Sequence, residues 1–304
     1  MRKINANGVT WIDIQTPNEK DLEELKEEFN LHPFIAQQFL PPIHRPKIEE
    51  HPNQLFTVIH FPIYNRDKKQ IETVELDIII MPSVLITSHA AEMPDLDAFF
   101  NDCEIQNYCK KNYFKTNGHL LFNLLDWLID SCLPMLDHTS EKIEEIESKV
   151  FQGKEKEMVS EIAMVRKDLI NFRKAIKPQR AILETLGKKS KRLFGVKMGR
   201  LTQEVIGSSI RTWSVLESHR ELISSIEQTN NSLLSYKLGD IMKFLTVVSF
   251  ITFPLSVIVG FFGMNVFDTI PSVRESPYTW VAVLISMFII TSIMVIYFKK
   301  KKWL

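Results

Sequence analysis

Two long apolar runs close this chain, Phe244 to Phe262 and Tyr278 to Phe298, and neither contains a charged side chain. At ~1.5 Å per residue each run as a helix matches a hydrocarbon core of roughly 30 Å, so both are predicted to be transmembrane. Two crossings return the chain to the side on which it started. Lys237 and Lys243 precede the first run and Lys299 to Lys302 follow the second, whereas the connecting segment 263–277 holds only Arg274. The positive-inside rule then puts both termini in the cytoplasm and the connecting segment outside. No apolar stretch near Met1 resembles a signal peptide, which leaves targeting to the two C-terminal spans.

The 24% charged content and zero formal net charge are averages over unlike regions, because nearly all the charge lies before residue 244. That part is long enough for a cytosolic core of its own plus an elongated region. Its neutral balance argues against a nucleic-acid partner. Cys103, Cys109 and Cys132 lack CxxC spacing, so reduced thiols are expected rather than a disulfide framework or zinc site. The eight histidines show no HExxH pattern, and no GxxxxGK or dinucleotide-type glycine motif is present. Neither an enzyme nor an organic cofactor is indicated.

Val9 to Ile14 alternates like a strand, and Thr16-Pro17 leads into an acidic helical pattern from Asn18 to Phe29. Leu55 to Phe61, Glu72 to Met81 and Val84 to Ser88 are further strand-like runs, separated by turn residues. Residues 1–116 therefore read as a mixed α/β domain. Residues 117–200 read as a helical hairpin region, with helices over Leu120 to Phe151 and Val159 to Leu186 joined near Gly153. Pro178 should kink or end the second helix. After a basic linker, Gly187 to Arg200, helical periodicity resumes through Ile206, Ile210, Trp213, Leu216, Leu222, Ile226 and Leu233. This stalk, 201–243, runs without a breaker into the first span, 244–262. A helix of that length, ~90 Å, cannot bury its own apolar stripe, so packing against copies of itself is expected, with a bundle folded back within one chain as the alternative.

With ~100° per residue and Met242 at zero, Thr246, Ser249, Thr252, Ser256 and Gly260 fall within an arc of roughly 120° on the first span. Leucine, isoleucine and valine fill most of the remainder. The arc suits either a wet path or close helix packing, and a symmetric oligomer accommodates both. Ser286, Thr291 and Ser292 are scattered on the second span, 278–298, which reads as lipid-facing. At the outer end of the first span stands Gly263-Met264-Asn265. A carboxamide at that level is expensive unless it meets water or a ligand, which makes Asn265 a functional candidate.

The FFGMN sequence ahead of two closely spaced C-terminal spans resembles the CorA family of magnesium channels. Trp11-Ile12-Asp13, the FNLHP of Phe29 to Pro33, the HRPKIEE of His44 to Glu50, the KPQR of Lys177 to Arg180 and the final KKKKWL of Lys299 to Leu304 are similar to that family in the same order. The resemblance implies an α+β membrane protein: an N-terminal cytosolic α/β domain, a long helical stalk and two C-terminal transmembrane helices, assembled as a homopentameric funnel. It places Gly239, Met242, Leu245 or Thr246, Ser249, Phe253, Ser256 and Gly260 along the pore, with Asn265 at its outer mouth. Gly239 stands where the family commonly has asparagine, and Phe253 where it commonly has methionine.

Mg²⁺ sheds water reluctantly, so amide oxygens can select it in hydrated form, and Gly263, Met264 and Asn265 form the expected selectivity motif. Inside-negative potential supplies ~4.6 kcal/mol per 100 mV for a divalent ion, so passive uptake needs a gate rather than a pump. The family's regulatory Mg²⁺ site, between neighbouring cytosolic domains, maps to Gln37-Gln38 and Glu204. Replacing carboxylates by amides there predicts a weakened site. Lys299, Lys300, Lys301 and Lys302 could form a basic collar, although topology alone explains lysines at that position. The expected partners are further copies of the chain, the lipid bilayer and divalent cations: Mg²⁺ first, with Co²⁺ and Ni²⁺ as further candidates. A zinc transporter is the alternative of the same superfamily, which usually has valine at the Met264 position. A membrane-anchored oligomeric scaffold or sensor is the alternative of another class.

Overall fold

The computed structural model describes residues 1–40, 45–194, 198–264 and 278–303. The chain divides into two compact units, Met1–Glu227 and Gln228–Leu304. In the first, β1 (Arg2–Ala6), β2 (Val9–Gln15), β3 (Lys47–His51), β4 (Gln54–Asn65), β5 (Gln70–Ile80) and β6 (Val84–His89) form one sheet of order β1-β2-β6-β5-β4-β3. Only β2 and β6 run parallel among these neighbours.

Period-two alternation sends successive side chains to opposite faces of the sheet. Trp11, Leu55, Ile78, Ile80 and Leu85 enter one core, and Ile12, Phe56, Ile79 and Ile86 enter the other. The second core is covered by α1 (Glu19–Phe29) and α2 (Pro33–Gln38), through Leu22, Leu25 and Ile35. Asn18 and Asp21 close a reciprocal capping box at the start of α1, which satisfies two backbone donors left over at a helix N-terminus. Residues of α3 (Pro94–Ile105), α4 (Asn107–Tyr113) and α5 (Asn117–Asp130) line the first core.

The single helix expected over Leu120 to Phe151 is two. α5 ends at Asp130 and α6 runs from Cys132 to Phe151. Pro134 has no N–H for the Asp130 carbonyl and its ring crowds that carbonyl, which accounts for the break. Pro178 acts as expected, separating α7 (Glu155–Ile176) from α8 (Gln179–Phe194). The predicted linker from Gly187 is helical as far as Phe194, because Leu186 and the turn before it pack into the first core.

Helix α9 runs unbroken from Gly199 to Phe262 with Pro254 inside it. Among its buried positions in the first unit, Thr202, Val205, Ser209, Thr212, Leu216, His219, Ile223 and Ile226 alternate three and four apart, with Ser208 buried beside them. The same spacing recurs in α6 (Leu136, Thr139, Ile143, Ile146, Val150) and α7 (Met158, Ile162, Val165, Leu169, Phe172, Ile176). These are heptad seams. Arg173 pairs with Glu217 at 3.2 Å and Arg166 with Glu227 at 3.0 Å, joining α7 to α9. The stripe anticipated from sequence is met in part: Leu216 and Ile226 are buried, but Ile210 and Leu222 are exposed, while polar Ser209, Thr212 and His219 are buried. This part of the stalk is covered within its own chain, which corrects the expectation that its stripe requires other copies.

At Gly187 a Cβ would lie 2.3 Å from Cγ2 of Thr202, so α8 and α9 approach too closely there for a side chain. Because Thr202 is β-branched and stiff at χ1, Gly187→Ala should lower stability by about 1–3 kcal/mol, read from denaturant midpoints.

Candidate pore face and cytosolic ion-handling residues

In the second unit, α9 continues to Phe262 and is followed among the described residues by α10 (Tyr278–Lys300). Both are long and apolar enough to cross a membrane. Val247 is buried, and Ile251, Pro254, Leu255, Ile258 and Phe262 are half-buried. At ~100° per residue these positions lie ~120–220° from Met242. The expected pore set, Gly239, Met242, Leu245, Thr246, Ser249, Phe253, Ser256 and Gly260, lies within ~60° either side of Met242. The chain thus covers the back of the span, while Met242, Leu245, Ser249, Phe253, Ser256 and Gly260 are exposed and Gly239 and Thr246 half-buried. Phe250 meets Phe298 of α10 edge-on at 6.2 Å.

The hydroxyls on this face are tied to their own helix. Thr246 Oγ1 donates to Met242 O at 2.7 Å, Ser249 Oγ to Leu245 O at 2.9 Å, Thr252 Oγ1 to Val248 O at 2.8 Å and Ser256 Oγ to Thr252 O at 3.1 Å. With the proton committed to the backbone, each oxygen presents lone pairs outward, as an acceptor for water or for a hydrated cation. Phe253 is 71% exposed on the same face, and Gly239 and Gly260 have no atom within 4 Å of an added Cβ.

Gly263 N–H donates to Val259 O at 2.9 Å, and Met264 N–H to Phe261 O at 3.3 Å, so the helix ends at the first two residues of the triplet. A Cβ on Gly263 would stand 3.0 Å from Val259 O, a close backbone approach that suits glycine. Met264 is 53% exposed. Asn265 and the rest of the connecting segment to Pro277 lie outside the described residues, as do His44 and Leu304.

The lysine run serves a structural purpose not visible in composition. Lys302 has φ 56°, its N–H donates to Lys299 O at 3.1 Å, and Trp303 N–H donates to Phe298 O at 3.0 Å. This is a Schellman ending, with the Phe298 and Trp303 rings stacked at 5.9 Å as its apolar contact. Lysines in the last turn also complement the negative end of the helix dipole.

In the first unit, Gln37 is exposed and Gln38 half-buried. Gln38 accepts from Lys47 Nζ and donates to Glu49 Oε2 at 3.2 Å, while Lys47 Nζ also reaches Glu49 Oε1 at 3.0 Å. Burial alone would raise the Glu49 carboxyl, but the Lys47 and Gln38 hydrogen bonds outweigh it and hold it below its usual range. Glu204 pairs with Arg200 at 2.9 Å, one turn away. Gln38 and Glu204 are thus each engaged with a cation of their own chain, and the Lys47 ammonium beside Gln38 was not anticipated from sequence.

A buried polar cluster ties β1, β2, β6 and α3 together. Asp13, 1% exposed, accepts from Arg2 Nε at 2.9 Å and from Thr87 Oγ1 at 2.5 Å, and His89 Nε2 lies 3.6 Å from its Oδ2. Arg2 also pairs with Asp97 and stands 4.1 Å over the Phe100 ring.

Comparison with known proteins gives one family. The model described as "CorA-like Mg2+ transporter protein" matches residues 6–300. A cobalt/magnesium transport protein CorA from Thermotoga maritima is 28% identical over 301 residues, covering 99% of this chain and 85% of the relative. A putative metal ion transporter, YfjQ, from Bacillus subtilis is 28% identical over 298 residues, covering 96% of this chain and 89% of the relative. The complete structure of the CorA magnesium transporter from Methanocaldococcus jannaschii superposes with a TM-score of 0.84 at 23% identity, covering 100% of this chain and 95% of that one.

Proposed function

This chain belongs to the family of CorA-like Mg²⁺ transporter proteins, and from that premise we propose that it is a homopentameric, potential-driven channel for Mg²⁺ uptake. The observation that carries the reading is the uncovered arc on α9. Its hydroxyl oxygens face away from the side that the chain buries, over Thr246 to Ser256. Above residue 235 the exposed large side chains include Tyr236, Leu238, Ile241, Met242, Phe244 and Leu245. An exposed apolar run next to a membrane span favours contact with other copies of the chain. In this reading residues 244–262 line the pore, residues 278–298 form the outer helix, both termini are cytoplasmic, and five Asn265 carboxamides select hydrated Mg²⁺ at the outer mouth.

Driving force follows from charge alone. A divalent ion gains ~4.6 kcal/mol per 100 mV, enough for roughly a thousandfold accumulation without ATP. Proteoliposomes holding an inside-negative diffusion potential should therefore take up Mg²⁺ in proportion to the voltage. Uptake that ignores the potential overturns the channel reading and favours the scaffold or sensor. Zn²⁺ flux exceeding Mg²⁺ flux in the same vesicles would favour the zinc transporter instead.

Gating by internal Mg²⁺ is weak in this reading, because Gln38 offers no charge and already holds Lys47. In the same vesicles, millimolar internal Mg²⁺ should close the channel less completely than in the Thermotoga maritima relative. Closure of normal strength that survives Glu204→Ala would remove Glu204 from the mechanism.

A further inference from the structure

The face of β5 that carries Thr73, Glu75 and Asp77 meets β6 with Asp77 directly opposite Ser88 in the antiparallel register. Both are buried, Asp77 at 7% and Ser88 at 2% exposure. Among the described residues, Asp77 Oδ1 and Ser88 Oγ have no hydrogen-bond partner. A buried polar atom without a partner costs about 1–3 kcal/mol, so two side by side point to something that satisfies them. Together with Glu75, Thr73, Phe39 and Leu40 they line a cavity of about 170 Å³. One water needs roughly 10–15 Å³ of such space, so the cavity has room for an ion and part of its hydration shell.

We infer that this cavity is a divalent-cation site contained within one chain, with the carboxylates of Asp77 and Glu75 and the hydroxyl of Ser88 as its oxygen ligands. An all-oxygen set of two carboxylates and a hydroxyl suits a hard ion such as Mg²⁺ or Mn²⁺ rather than a thiophilic one. Among the described residues no three His, Cys, Asp or Glu side chains converge as a complete cage. The ion keeps several waters, as Mg²⁺ does in its protein sites.

The surroundings of the pair are also charged: Glu75 Oε2 lies 3.5 Å from Nε2 of His60 on β4.

The site lies wholly in Met1–Glu227 and does not rest on the conduction reading. It is tested by titrating Mn²⁺ into the full-length protein in detergent at pH 8 and following free Mn²⁺ by electron paramagnetic resonance. Asp77→Asn should bind one Mn²⁺ fewer per chain than the wild type, and Ser88→Ala should weaken that class several-fold. Excess Mg²⁺ should displace the bound Mn²⁺. Unchanged stoichiometry in Asp77→Asn overturns the site. If circular dichroism shows Asp77→Asn misfolded, Ser88→Ala decides alone, and unaltered affinity there overturns it. No flux is measured, so the outcome stands whatever the pore conducts.

Discussion

Asn265→Ala should reduce Mg²⁺ uptake into polarised proteoliposomes by at least tenfold while leaving the chain folded and inserted. The carboxamide follows directly on Gly263 and Met264, where α9 ends, and it is the strong dipole of the triplet. A hydrogen bond to a charged partner is worth about 1.5–3 kcal/mol, or ~10–150-fold, and alanine can offer nothing to the hydration shell of a dication. The wall below the motif presents hydroxyl acceptors whose protons are tied to the helix, so it cannot replace the lost amide oxygen and amide donor together. Asn265→Asp should fail differently. A carboxylate would hold the ion more strongly and slow its exit, so apparent affinity should rise while maximal flux falls. Uptake unchanged by Asn265→Ala, measured with a fluorescent Mg²⁺ indicator inside the vesicles, sinks the selectivity assignment.

Asp13→Ala should be among the most damaging single changes in the first unit, at about 3–5 kcal/mol, because it strands Arg2 and His89 around a buried position. Urea unfolding of the full-length protein, followed by the fluorescence of buried Trp11, measures it. Trp11 Nε1 donates to Thr87 at 3.1 Å, and Thr87 in turn donates to Asp13, so the reporter sits in the same network.

The cluster also sets a pH window. Burial pushes Asp13 up, but His89, Thr87 and Arg2 together outweigh it and hold the carboxyl below its ordinary 3.8. Its contribution is present above 3.8 and is lost as pH falls through the lower folded value. Burial pushes His89 down, but Asp13 and the Ala91 carbonyl outweigh it and raise the imidazole above its ordinary 6.5. Its contribution is present below 6.5 and is lost as pH rises through the higher folded value. The cluster therefore stabilises most between about pH 4 and 6.5. Wild-type stability should decline from pH 6 to pH 9, and His89→Gln should flatten that decline. An unchanged slope in His89→Gln would show that the imidazole does not titrate with folding.

Much of the architecture was legible because its signals are local. The strand at Val9–Gln15 shows alternation in the residues themselves, those at Gln54–Asn65 and Val84–His89 contain strand-like runs bounded by turn residues, and Pro178 divides two helices for a reason visible at one position. Other elements were not legible. β1 and β3 are short edge strands whose pairing partners determine them. The break at Ser131 could have been read from Pro134, which sits in the first turn of α6. The seam of α9 was misplaced in part because hydrophobicity alone cannot distinguish an exposed Ile210 from a buried Thr212 whose hydroxyl is bonded to Ser208 O at 3.0 Å.

Taken by itself, the sequence determined the two long apolar helices and the helical spacing of the small and polar residues on the first of them. Each depends on composition or on helical period over a few turns, and lipid enforces such patterns whatever else the chain does. Tertiary structure alone decided which half of α9 is covered by its own chain, that Gln38 holds Lys47, and that Asp13 meets His89. It also decided that Asp77 faces Ser88 across two strands, with no partner among the described residues for Asp77 Oδ1 or Ser88 Oγ. Those relations join residues from nine to more than seventy positions apart. Sheet register and helix packing create them, and no periodicity along the chain records which side chains will meet.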